Sequence, residues 1–99
     1  MYLVIWEFEA AADRESDFVA AYGPQGDWAQ LFRQGVGYVR TELNRDLHTP
    51  RTYVVFDYWQ SESHYEQFKV DFALPYRELD LKCEALTSRE THIGTFEVL

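Results

Sequence analysis

Between Thr52 and Cys83 the sequence changes its period once, and that change limits the fold more than any other feature. Thr52 to Trp59 alternates as a strand does, with Tyr53, Val55 and Trp59 on one side and Val54, Phe56 and Tyr58 on the other. From Glu62 onward apolar residues recur at helical spacing. Tyr65, Phe68, Phe72, Tyr76, Leu79 and Cys83 form one stripe, while Glu62, Glu66, Asp71 and Glu78 turn away from it. Ser61 stands at the junction, where its hydroxyl can cap the helix, and Ser63 with Glu66 offers a competing capping box. Pro75 falls inside the stripe. A proline lacks the N–H and costs about 3 kcal/mol in a helix interior, so a kink or break is expected, leaving two consecutive pieces on one face.

The rest of the chain supplies partners for that strand and helix. Tyr2 to Glu9 reads as a first strand. Asp13 or Ser16 opens a helix whose buried stripe is Phe18, Val19 and Tyr22, and Gly23-Pro24 ends it, the glycine accepting positive φ. A second short helix carries Trp28, Leu31 and Phe32 and closes at Gly35-Val36-Gly37. Tyr38 to Arg45 pairs with Thr52 to Trp59 as a hairpin across the polar loop Asp46 to Arg51, and Glu90 to Val98 is a closing strand. The order β, α in two pieces, β, β, α, β predicts an α+β, ferredoxin-like βαββαβ domain over residues 1–99, an antiparallel sheet with its helices on one face.

One helix layer leaves a problem. In the first strand Tyr2, Val4, Trp6 and Phe8 point one way and Leu3 and Ile5 the other, so both sheet faces are apolar. A second copy packed against the uncovered face, forming a dimeric α/β barrel, is the expected solution, and it supplies buried area that a 99-residue chain lacks. Other partners are excluded by charge. Nine Lys and Arg against 17 Asp and Glu give a formal charge of -8, which repels nucleic acid and anionic membranes. There is no leader-like start and no apolar run near the roughly 20 residues that span a bilayer, and Cys83 alone forms no internal disulfide; a cytoplasmic protein is expected.

Candidate chemistry concentrates on the hairpin. If the strands are symmetric about their loop, Tyr38 faces Trp59, Arg40 faces Asp57, Glu42 faces Val55 and Asn44 faces Tyr53, all on one side of the sheet. Such a side mixes apolar walls with a few fixed polar groups, as a ligand pocket does; Tyr38, Tyr53 and Trp59 are its aromatic candidates. Asp57 can serve as a base if burial raises its pKa, with Arg40 steadying an oxyanion. A tight Arg40–Asp57 pair would instead lower that pKa, and the two can also merely satisfy each other in a subunit interface. His92, on a strand face with Gly94 and Phe96, is the one histidine that suits a pocket; His48 and His64 read as solvated. No His or Cys pair has metal-ligand spacing, no serine sits in a nucleophile elbow, and Gly35-Val36-Gly37 precedes a strand where a phosphate cradle precedes a helix. Trp6, Trp28 and Trp59 read as core, and Cys83 as a small hydrophobe on the helix stripe.

The passage Trp59-x-Ser61-x-x-x-Tyr65-x-x-Phe68, preceded by Gly37-Tyr38-Val39-Arg40-Thr41-Glu42-Leu43, resembles the antibiotic biosynthesis monooxygenase (ABM) family of the dimeric α/β-barrel superfamily. The resemblance covers essentially the whole chain. It implies a homodimer and a monooxygenase that needs neither metal nor flavin. An electron-rich phenolic or polyketide-like substrate would be deprotonated in an apolar pocket and would itself deliver electrons to oxygen. The haem-degrading branch of that superfamily uses an Asn on the first strand, a Trp on the long helix and a His ten residues later. Here those positions hold Trp6 or Glu7, Phe68 and Glu78, so haem oxygenation is not expected. Two other readings stay open: an isomerase or dehydratase on the same scaffold, and a non-catalytic dimeric ligand-binding or stress-associated module.

Overall fold

A computed structural model describes residues 1–99. Four strands, β1 (Tyr2–Ala10), β2 (Tyr38–Arg45), β3 (Thr52–Trp59) and β4 (Thr87–Glu97), form one antiparallel sheet in the order β2-β3-β1-β4. Helices α1 (Glu15–Tyr22), α2 (Asp27–Phe32), α3 (Glu62–Asp71) and α4 (Ala73–Cys83) cover one face. This is the ferredoxin-like α+β fold expected, with β4 starting three residues earlier, at Thr87.

Local chemistry explains most boundaries. Ser61 caps α3, its Oγ accepting from the backbone N–H of His64 at 3.2 Å and meeting His64 Nδ1 at 2.6 Å. His64 is therefore not the solvated side chain expected: it is half-buried, and it packs against Gly37, whose φ of +91° and lack of Cβ both make room for it. The long helix breaks at Phe72, at φ -115° and ψ 29°, three residues before Pro75. Pro75 lacks the N–H that would reach back to Asp71 and so sits in the first turn of α4, where no such bond is needed. Two expectations for α1 are corrected. The helix starts at Glu15 after Arg14, and Gly23 ends it in extended geometry (φ -72°, ψ 174°) rather than at positive φ, because the residue before Pro24 is held extended.

Between sheet and helices the core is largely aromatic. Phe8, Phe18 and Tyr22 interlock at 4.5–5.7 Å between ring centroids, and Trp59 meets Tyr38, Tyr65, Phe32 and Phe68 at 5.1–5.7 Å. Each such pair adds about 0.5–1.5 kcal/mol beyond its area. The opposite sheet face carries Leu3, Ile5, Val54 and Phe56, all half-buried, and Phe96, 45% exposed, with no layer over them.

The hairpin register is where expectation and structure part. Tyr38 does face Trp59, but a bulge at Val39 then sets Arg40 opposite Tyr58, Thr41 opposite Asp57, Glu42 opposite Phe56 and Asn44 opposite Val54. The expected Arg40–Asp57, Glu42–Val55 and Asn44–Tyr53 pairs do not form. Because side chains alternate with period 2, one extra residue moves every later side chain to the other face. A second bulge, at Ile93, sets His92 opposite Trp6 and Gly94 opposite Ile5. His92 thus lies on the helix-covered face and does not share a side with Gly94 and Phe96, as had been expected.

Candidate active site

A cavity of about 120 Å³ opens between the sheet and α4. Its walls are the rings of Trp6, Phe8, Tyr22, Trp28, Phe32 and Tyr76, with Val55. Its polar groups are Thr41, Asp57, Asp80 and Glu90, and no lysine, arginine or histidine lines it.

Asp57 is the buried member of that set, 8% exposed and flanked across the sheet by Val4 and Thr41. Thr41 Oγ1 donates to its Oδ1 at 2.6 Å, and the Tyr38 hydroxyl lies 2.8 Å from the same Thr41 oxygen. The bulge makes this relay: residues three apart on a regular strand face opposite ways, and the extra Val39 turns Tyr38 and Thr41 to one side. Burial pushes the Asp57 carboxyl up to about 7, against a smaller lowering from the Thr41 hydrogen bond. No cation stands beside it. A carboxylate in that condition exchanges a proton near neutral pH, as a general base must.

Asp80 on α4 and Glu90 on β4 both line the cavity and are both exposed, which places them at its open end. Partial burial, then the Asp80 charge, raises the Glu90 pKa. The Tyr76 hydroxyl is pushed up to about 12, first by burial and then by Asp80, Asp57 and Glu90. Trp28, 6% exposed, carries an Nε1–H with no hydrogen-bond partner, although it is close enough to the Tyr22 hydroxyl and the Cys83 thiol to lower their pKa slightly. A buried donor left unpaired costs about 1–3 kcal/mol and calls for a reason.

The other residues singled out in the sequence lie elsewhere. Arg40 is on the uncovered face, 3.3 Å from Glu42 Oε2 and stacked 4.0 Å over the Tyr58 ring. Tyr53 is buried and donates to Glu15 Oε1 at 2.8 Å, and Trp59 is fully enclosed by rings; neither lines the cavity. Tyr38 reaches it only through Thr41. His92 is exposed and rests on Trp6, 5.0 Å between rings, outside the cavity lining. Trp6, Thr41, Trp28, Tyr76, Asp80 and Glu90 were not singled out for the site. Tyr76 and Trp28 were visible as members of helix stripes, but nothing in a stripe says which member borders empty space. No group of three or more His, Cys, Asp or Glu side chains is placed to hold a metal ion, and no helix is long and apolar enough to cross a membrane.

The family model described as antibiotic biosynthesis monooxygenase matches residues 1–69, more than half of the chain. The protein belongs to the ABM family. Among solved structures, SnoaB, a cofactor-independent oxygenase from Streptomyces nogalater, superposes with a TM-score of 0.80 at 17% identity, covering 99% of this chain and 92% of that one. A Nitrosomonas europaea protein provisionally named an antibiotic biosynthesis monooxygenase superposes at 0.75 with 15% identity, over 100% and 99% of the two chains. A conserved protein from Methanosarcina mazei follows at 0.71 and 13%, over 97% and 90%. At these identities the likeness establishes the shared fold. No curated protein matches the sequence.

Proposed function

We propose that this ABM-family protein is a cytoplasmic, cofactor-independent monooxygenase acting as a homodimer on an electron-rich aromatic or polyketide-like small molecule. The observation that carries the reading is Asp57, an uncompensated carboxylate in an aromatic cavity whose proton affinity lies near neutral pH. Asp57 takes a proton from a quinol hydroxyl or from the acidic ring carbon of an anthrone. The resulting anion passes one electron to O2, the radical pair combines to a peroxide, and the Asp57 carboxylic acid returns its proton to the departing oxygen as the O–O bond breaks and the hydrogen left on the oxygenated carbon leaves as the second proton of the water. One oxygen atom ends as a carbonyl of the product and the other in water, the substrate supplying all the electrons. Measuring oxygen uptake with a panel of anthrones and quinols tests this. Turnover by the native protein and its loss in Asp57→Asn are expected; no turnover with any of them, or an undiminished variant, sinks the assignment. Product formation without oxygen would point to an isomerase.

The cavity volume favours a second reading. About 120 Å³ holds roughly one ring, well below the ~300–1,000 Å³ of most ligand pockets. A polycyclic substrate must extend beyond Asp80 and Glu90 or displace Tyr76. A non-catalytic module binding a single-ring ligand has no such demand, and it is separated from the oxygenase by binding without turnover. The dimer reading rests on the uncovered apolar face of Leu3, Ile5, Val54 and Phe56. Light scattering at micromolar concentration should give twice the chain mass, and a monomer would end it.

A further inference from the structure

The cavity is aromatic inside and acidic at its rim, and it holds no positive charge. We infer that its ligand is an aromatic ring carrying an alkylamine arm, bound with the protonated ammonium group between Asp80 and Glu90 and the ring inside; this deepens the oxygenase reading and rests on it for the identity of the site. Three observations point the same way. Asp80 and Glu90 both line the opening, from different elements, and neither forms an ion pair or side-chain hydrogen bond. The nearby cations are engaged elsewhere: Arg89 meets Glu7 on the other sheet face at 3.5 Å, and Lys82 meets Asp27 at 3.6 Å. Trp6, Trp28 and Tyr76 present ring surface to the same space, and aromatic faces attract an organic cation, most strongly when it is desolvated.

Trp28 brings a second feature to the same wall. Trp28 lines the cavity, and its buried Nε1–H has no hydrogen-bond partner. A ligand with a carboxylate or sulfate would instead bring like charge to the rim and lose its own hydration without a partner.

Calorimetry without oxygen on three matched hydroquinones, one with an aminoethyl arm, one with a carboxymethyl arm and one unsubstituted, tests the inference. The amine should bind at least ten-fold more tightly than the carboxylate, and more tightly than the parent. In Asp80→Asn/Glu90→Gln that preference should collapse to under two-fold, with thermal melting checking the fold; should the double variant not fold, each single variant must lower the preference. A charge-matched control, Asp13→Asn/Glu62→Gln, keeps it, since neither residue borders the cavity. A carboxylate that binds as well as the amine, no binding by any of the three, a preference surviving the rim variants, or one lost equally in the control would each overturn the inference. Oxygen uptake separates the two readings. An amine that binds without being oxidised sinks the oxygenase and leaves the amine site standing, whereas turnover with no preference for the amine does the reverse.

Discussion

The two ends of the cavity carry the same functional group in opposite conditions. Asp57, 8% exposed, has one hydrogen bond and no charged neighbour acting on its pKa, and burial lifts it to about 7. Asp80 and Glu90 stand exposed at the other end, where partial burial and then the Asp80 charge raise the Glu90 pKa. Desolvation, rather than the summed acidity of a chain with net charge -8, therefore brings the Asp57 carboxyl near neutrality. An exposed carboxylate pair can attract a cation, and a dry one can hold a proton; the cavity has both, separated by aromatic rings.

The largest expected effect breaks that contrast outright. Asp57→Asn should lower turnover about 10²–10⁴-fold, the usual worth of a positioned base, with little change in substrate binding. Steady-state oxygen uptake checks this, and a loss under ten-fold would place the base elsewhere. Next comes stability. A carboxyl raised from 3.8 to about 7 favours the folded state fully below the unfolded value and loses that contribution as pH climbs through the folded one. Denaturant unfolding should show the native protein weaker at pH 8 than at pH 4 by up to roughly 4 kcal/mol, with Asp57→Asn close to flat over that window. Activity should run the other way, rising with a midpoint near 7, so the ionisation that arms the site weakens the fold. Parallel profiles of the same sign would contradict the assignment.

Smaller changes sharpen the comparison. Thr41→Val removes the donor to Asp57 Oδ1 and should move the activity midpoint up by about one unit, the equivalent of about 1.4 kcal/mol for a hydrogen bond to a charged group. An unmoved midpoint would mean that the 2.6 Å contact does not act on the ionised form. Asp80→Asn/Glu90→Gln should have the least effect on that midpoint, within about 0.3 unit, because neither charge contributes to the Asp57 shift. A larger movement would show the two ends to be electrostatically joined.

Much of this is legible in the sequence. The change of period at Ser61 placed β3 and α3, the helix stripe named Tyr65, Phe68, Phe72, Tyr76, Leu79 and Cys83 as packed against the core, and Pro75 foretold two helical pieces. Asp57 was singled out as a candidate base. These follow from interactions between residues close in sequence: capping, helical periodicity and the missing proline N–H. The partner of Asp57 was not legible, because it depends on one bulged residue across a hairpin. Val39 carries no signal for a bulge, yet its insertion exchanges the faces of Arg40 and Thr41. With Arg40 beside it Asp57 would be a low-pKa member of an ion pair; with Thr41 it is a dry carboxylate that titrates near neutrality. Sequence alone thus determined which elements form and which sides of them are apolar, since those depend on local spacing. Only the tertiary structure decided which side chains share the space between sheet and helices, since strand register is set by the whole sheet and a single residue of slip reverses it.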